Sequence, residues 1–180
     1  MSSLLLKFLV VVVVLFSVYQ STAATLRPGR DQTLIRKTCK KTRNYNQCVK
    51  SLKDDRRSYD ATDAPELAKI AIEHALANAN HLYKQTNALR KKTGYDDKTI
   101  RAMETCSKIY GEAIDSLMQA TQAIGAKDYK SANLYTSEVI DAADTCSQEF
   151  RESARKMPFA RRNGILNDLA VIALDLVAHL

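Results

Sequence analysis

Few side chains in this sequence could carry chemistry, and their spacing narrows the choice. There are three histidines, His74, His81 and His179. His74 and His81 stand seven residues apart and share a helical face, whereas a metal-binding pair on one helix is normally four apart. His179 sits next to the terminus. All three read as structural or solvated residues. The cysteines Cys39, Cys48, Cys106 and Cys146 lack the close Cys-x-x-Cys spacing that zinc prefers. No Gly-x-Ser-x-Gly elbow or phosphate-binding glycine loop occurs. Carboxylates remain: Glu112 with Asp115, and Asp141 with Asp144, each pair three apart. Such pairs run acid/base chemistry only inside a cleft that drives their acidities apart. On a helix surface they read as a solvated face, or as an acidic face that docks on a partner. The residues therefore predict no catalytic group, no metal and no cofactor.

The elements that must position these groups begin after an N-terminal leader. Lys7 is the only charge before Arg27, an apolar run from Phe8 to Phe16 follows it, and small residues appear at Ser21, Thr22, Ala23 and Ala24. This is the pattern of a signal peptide, and the apolar run is shorter than the roughly 20 residues that span a bilayer. Residues 1–24 read as the leader and residues 25–180 as one secreted domain that needs no membrane after cleavage. The net charge of +7 loses only Lys7 on cleavage, leaving +6. Charges of both signs are mixed along the chain, and a secreted protein rarely meets nucleic acid. A weak contact with a wall or matrix polyanion suits the positive excess better. An even number of cysteines in a secreted chain predicts two disulfides.

Strand alternation is nearly absent, alanine is abundant, and the expected class is all-α. A first helical region, Asp31 to Leu52, is interrupted near Thr42-Arg43-Asn44, and a Cys39–Cys48 bond would close a small hairpin there. A second begins at Asp63-Ala64-Pro65-Glu66, buries a stripe of Leu67, Ile70, Ala71, His74, Ala77 and Leu82, and ends at Thr93-Gly94. The third runs from about Asp97 to Ile124, with Ile100, Met103, Cys106, Ile109, Ala113, Leu117 and Ala120 on one stripe and Gly125 as its stop. The fourth starts from an Asp128 cap and runs to about Phe150. Arg151 to Arg162 reads as a loop, and Asn163 precedes a last apolar helix, Ile165 to Leu180. Cys106 lies 19 residues before Gly125 and Cys146 lies 20 after Ala126. At 1.5 Å per residue both stand about 30 Å from the tip of an antiparallel pair, so they can bond across it. The loop so closed stabilises by roughly 4 kcal/mol in the chain-entropy picture. The expected architecture is an up-and-down four-helix bundle with an N-terminal helical hairpin as an appendage.

Three stretches resemble one family. Thr38-Cys39-Lys40-Lys41-Thr42-Arg43-Asn44-Tyr45-Asn46-Gln47-Cys48-Val49-Lys50-Ser51-Leu52 resembles the N-terminal hairpin of the plant invertase/pectin methylesterase inhibitors. The segment Glu104-Thr105-Cys106-Ser107, with Tyr110 and Ala113-Ile114-Asp115-Ser116-Leu117, resembles their second bundle helix. Asp128-Tyr129-Lys130-Ser131-Ala132-Asn133-Leu134-Tyr135 and Asp141-Ala142-Ala143-Asp144-Thr145-Cys146 resemble the third.

The resemblance implies the same bundle and hairpin, the same cysteine pairing, and a non-catalytic inhibitor that binds its target enzyme one-to-one. Targets in the family are pectin methylesterases and acid invertases. Invertase inhibitors often carry Pro-Lys-Phe at the turn where this chain has Lys127-Asp128-Tyr129. That difference favours pectin methylesterase, blocked at its pectin-binding cleft in the cell wall. Carried over position by position, the resemblance places Glu112, Asp115, Asn133, Asp141 and Thr145 against the enzyme. Lys108 departs from the pattern, because an acidic residue can occur there in that subgroup. The alternatives are an inhibitor of wall or vacuolar acid invertase and a non-inhibitory secreted structural protein.

Overall fold

Polar caps set most of the helix starts. In the computed structural model, which describes residues 30–180, the side chains of Asn44, Asp63, Asp96 and Asp128 each accept a hydrogen bond from a backbone N–H three residues on. The expected leader, residues 1–24, lies outside the described residues. The elements are α1 (Arg30–Cys39), α2 (Tyr45–Lys53), a 3₁₀ turn (Arg56–Tyr59), α3 (Ala64–Leu89), α4 (Asp97–Gly125), α5 (Tyr129–Glu152) and α6 (Ala160–Val177). No strand occurs among the described residues. Helix α3 packs on α4 and α6, and α5 packs on the same two, so α3 to α6 form an antiparallel four-helix bundle.

The bundle core holds Leu67, Ile72, Leu82, Met103, Leu117, Leu166, Ile172 and Leu176, all fully buried. Each such side chain contributes about 1.5–3 kcal/mol relative to leaving it in water. Near one end Phe159 meets Tyr110 and Phe150 edge to face, with ring centroids 6.1 and 5.6 Å apart. Both disulfides are present, Cys39–Cys48 and Cys106–Cys146. Cys106 and Cys146 do stand at matched heights, with Cα atoms 5.1 Å apart.

Several local expectations change. The hairpin is no loose appendage, because Ile35, Cys39, Cys48 and Leu52 are fully buried in the same core as the bundle. Arg43 fixes it further: its backbone N–H and Nε donate to the Asp175 carboxylate of α6 at 2.8 and 2.9 Å. Gln47 reaches Asp168 of α6 at 2.8 Å.

The inward stripe of α3 is Leu67, Ala68, Ile70, Ala71, Ile72, Ala75, Ala79 and Leu82, whereas Ala77 is exposed and His74 half-buried. Helix α3 also stops at Leu89, before Thr93-Gly94. Gly125 is the last residue of α4, and the left-handed residue of the turn is Lys127, at φ 60°. Asp128 N–H bonds back to Ala123 C=O at 2.9 Å and Lys127 N–H to Ile124 C=O at 3.0 Å, which closes the helix end. Helix α6 starts at Ala160, well before Ile165, so Asn163 lies inside its first turns instead of ahead of it.

Candidate functional site

The α4–α5 pair is built to hold a fixed register. At its tip Asp128 caps α5, and hydrogen bonds from the Ser131 side chain and backbone, with Lys130 nearby, hold its carboxyl below the usual range. Twenty-odd residues away the Cys106–Cys146 bond joins the two helices. Between these points Ser116 Oγ donates to Glu138 Oε2 at 2.6 Å. Asn163 of α6 then clamps the back of the pair. Its Oδ1 accepts from Tyr110 Oη at 2.7 Å, and its Nδ2 donates to Ala143 C=O at 2.9 Å and Ser147 Oγ at 2.8 Å. Burial pushes the Tyr110 phenol far above its ordinary value, so it stays a neutral donor.

This register aligns two stripes on the outer surface. Lys108, Glu112, Asp115 and Gln119 of α4 are all exposed and recur at spacings of four, three and four. Leu134, Glu138, Asp141 and Thr145 of α5 recur in the same way and are exposed too. Helices joined at Cys106–Cys146 and Ser116–Glu138 bring Glu112 level with Asp141 and Asp115 level with Glu138. Two rungs of exposed carboxylates at matched heights result, with Lys108 and Thr145 at one end and Gln119 and Leu134 at the other. Leu134 is 59 % exposed, the most open of the large apolar side chains described.

Four of the five positions expected to meet a target therefore share this face: Glu112, Asp115, Asp141 and Thr145. Asn133 does not sit centrally on it. It lies about 80° around α5 from Asp141 and about 120° from Thr145. It shares a side with Asp144, eleven residues on, whose Oδ1 accepts from Asn167 of α6 at 3.1 Å. The Asp144 carboxylate is thus engaged by α6. The resemblance singles out neither Glu138 nor Leu134, although their spacing to Asp141 and Thr145 is that of one helical stripe.

The Cys39–Cys48 bond lies far along the chain from this face and belongs to the hairpin. No group of three or more His, Cys, Asp or Glu side chains able to hold a metal ion occurs among the described residues. No described helix is long and apolar enough to cross a membrane.

A family model described as "Plant invertase/pectin methylesterase inhibitor" matches residues 33–176, from the hairpin through α6. The chain belongs to this family. Its members are inhibitors rather than enzymes.

Among curated relatives, a pectinesterase inhibitor of Actinidia deliciosa is 39 % identical over 117 residues, 65 % of this chain and 62 % of the relative. The match thus spans under two thirds of that relative's length. Pectinesterase inhibitor 28 of Oryza sativa subsp. japonica is 33 % identical over 82 % of this chain and 69 % of its own. A cell wall / vacuolar inhibitor of fructosidase of Arabidopsis thaliana is 31 % identical over 81 % and 79 %. Among solved structures, a mutant form of a pectin methylesterase inhibitor from Arabidopsis superposes with a TM-score of 0.69 at 25 % identity, covering 79 % of this chain and 93 % of that one. The matched residues 33–176 span the hairpin, the bundle and all four cysteines.

Proposed function

We propose that this protein is secreted to the plant cell wall and inhibits a pectin methylesterase, binding it one-to-one through the α4–α5 face and occluding its pectin-binding cleft. The observation that carries the reading is the pair of carboxylate rungs, Glu112 with Asp141 and Asp115 with Glu138, held level by Cys106–Cys146. Pectin carries free carboxylates between its neutral methyl esters, and an acidic face would complement cationic side chains that hold those free units in an enzyme's groove. An acid invertase works on neutral sucrose with a pair of carboxyl groups. The same face would place like charges against that cleft. The resemblance to the two pectinesterase inhibitors supports the same choice.

Because the helices are covalently tied, the face is preorganised, and less freedom is lost on binding. No chemistry is asked of the inhibitor. Asp115 and Asp141 supply charge, Leu134 supplies an apolar contact at the edge, and bulk excludes the polymer. The test is titration of the oxidised protein against a panel of plant pectin methylesterases, with sucrose hydrolysis by acid invertases run in parallel. Inhibition of a pectin methylesterase that weakens as salt is raised supports the reading. An Asp115→Lys/Asp141→Lys variant is expected to lose at least tenfold in affinity while keeping its helical signal. Inhibition confined to invertase, or insensitive to both salt and charge reversal, refutes it. The second reading, invertase inhibition, is favoured by the fructosidase inhibitor that matches 81 % of this chain.

A further inference from the structure

A second surface feature lies outside the α4–α5 face. An open cleft of about 550 Å³ lies between the α2 end, α3 and the start of α6. That volume is within the range of small-molecule sites. One wall is held rigid: Ser51 Oγ lies 3.0 Å from His74 Nδ1, and His74 Nε2 lies 2.9 Å from Asp55 Oδ2. Arg57 in turn grips Asp55 at 2.7 Å and also pairs with Glu73. The charges of Asp55 and Arg57 are therefore satisfied by each other and by Glu73.

The remaining side chains around the cleft define what it can take. Arg56 and Arg162 both line it, and among the described residues neither is ion-paired. Against them stands a single uncommitted carboxylate, Asp54. Two guanidinium groups favour a carboxylate or another oxyanion. Asn78 also lines the cleft. It is 9 % exposed, and its buried Oδ1 has no hydrogen-bond partner. An asparagine left without side-chain partners at a cleft wall can bond a ligand hydroxyl through the open edge of its amide. Leu169 and Ala77 supply apolar surface alongside.

An anionic group, free hydroxyls and an apolar ring face are combined in a uronic acid residue. We infer that this cleft binds a uronate unit, its carboxylate on Arg56 and Arg162 and a hydroxyl on Asn78, with the ring against Leu169. The site gives the protein's positive excess a specific point of contact with an acidic polysaccharide. It is independent of whatever enzyme the α4–α5 face meets.

Calorimetric titration of the full oxidised protein with trigalacturonate, at pH 5 and low ionic strength, tests the assignment. Trigalacturonate is expected to bind and the neutral trimer maltotriose is not. An Arg56→Ala/Arg162→Ala variant should bind at least tenfold more weakly. A Lys91→Ala/Lys92→Ala variant removes the same charge from exposed positions beyond α3 and should change affinity less than twofold. Asn78→Ala should weaken binding while leaving Tm unchanged or higher, because it deletes an unsatisfied buried acceptor. That combination is not produced by a merely structural asparagine. Equal losses in the two double variants would show only diffuse charge attraction and overturn the site. Equal affinity for inorganic phosphate, or for maltotriose, would overturn the uronate.

Discussion

Replacing Asn163 by aspartate changes one atom type in the core and tests how the α4–α5 pair is held in register. In the native protein the Nδ2 group donates to Ala143 C=O at 2.9 Å and to Ser147 Oγ at 2.8 Å, while Oδ1 accepts from Tyr110 Oη at 2.7 Å. Asn163 is 4 % exposed. The carboxylate introduced by Asn163→Asp would keep the Tyr110 bond but face the Ala143 carbonyl with no proton to donate. Burial and that repulsion raise its pKa above the roughly 3.9 of the unfolded chain. A rise of about 3 pH units corresponds to about 4 kcal/mol, since each is worth about 1.36 kcal/mol. The folded state then binds the proton more tightly than the unfolded state, so stability falls as pH rises between the two values. The penalty relative to wild type is fully present at pH 8 and largely gone at pH 4, where the carboxylic acid can again donate to Ala143 or Ser147. Urea unfolding of both proteins from pH 4 to pH 8 measures this directly. A pH-independent penalty, or one below about 1 kcal/mol at pH 8, would refute the claim that this amide clamps three helices.

Removing the cysteine pairs separately should give unequal results. In the chain-entropy picture the separation of 40 residues at Cys106–Cys146 corresponds to about 4 kcal/mol, and the separation of 9 at Cys39–Cys48 to about 3 kcal/mol. Double-alanine variants unfolded in urea should rank in that order, and inhibition should suffer more in the Cys106/Cys146 variant at matched folded fraction. At the α4–α5 tip, Lys127→Gly should raise stability by about 1 kcal/mol in thermal unfolding, because a lysine at φ 60° carries a penalty that glycine escapes. In acid, the side-chain hydrogen bond from Arg57, helped by His74 and opposed by burial, holds the Asp55 carboxyl well below the usual carboxylate range. Its contribution is complete above the ordinary carboxylate value and is lost only as pH falls below it. Asp55→Asn should therefore lower stability at neutral pH and make the acid limb of the stability profile shallower.

The parts of this fold legible in the sequence are those fixed by local chemistry. Asp63 and Asp128 announce helix starts because a short carboxylate can accept from an N–H three residues on, and both do so here. The helical rise alone puts Cys106 and Cys146 at matched heights, once a turn near Gly125 is assumed, and the resemblance implies their pairing. Errors arise where a distant group decides. Asn163 has the residue type of a cap, but Tyr110 of α4 and Ala143 and Ser147 of α5 claim its side chain. No pattern within α6 contains that information.

The α3 stripe fails for another reason. Alanines occur all around the helix, so periodicity does not identify which of Ala75, Ala77 and Ala79 faces inward. On the proposed α4–α5 face, Glu112, Asp115, Asp141 and Thr145 are positions that the resemblance singles out. Glu138 becomes visible as their neighbour only when the register of two helices is known. Asn133, also carried over by resemblance, lies off the stripe of Asp141 and Thr145, on the side of α5 that carries Asp144.

The buried hairpin alters the meaning of the two staples. A terminal appendage could be unfastened without consequence for the core. Here both sulfurs of Cys39–Cys48 are fully buried, and Arg43, Gln47 and Ser51 bond to Asp175, Asp168 and His74 of α6 and α3. The hairpin therefore covers the α3 and α6 side of the bundle, and losing its disulfide should loosen that side. Helices α4 and α5 receive none of these polar ties and are held instead by Cys106–Cys146, Ser116–Glu138 and Asn163. Two sets of restraints thus act on opposite helix pairs. A variant that weakens the hairpin should lower the unfolding midpoint while leaving the affinity of the folded protein for the proposed target enzyme intact. A variant that weakens the α4–α5 register should lower affinity even where the midpoint is restored by a stabilising change such as Lys127→Gly. Paired measurements of midpoint and inhibition in the same variants decide it, and a fixed proportion between the two across both sets would mean that the restraints are not separable.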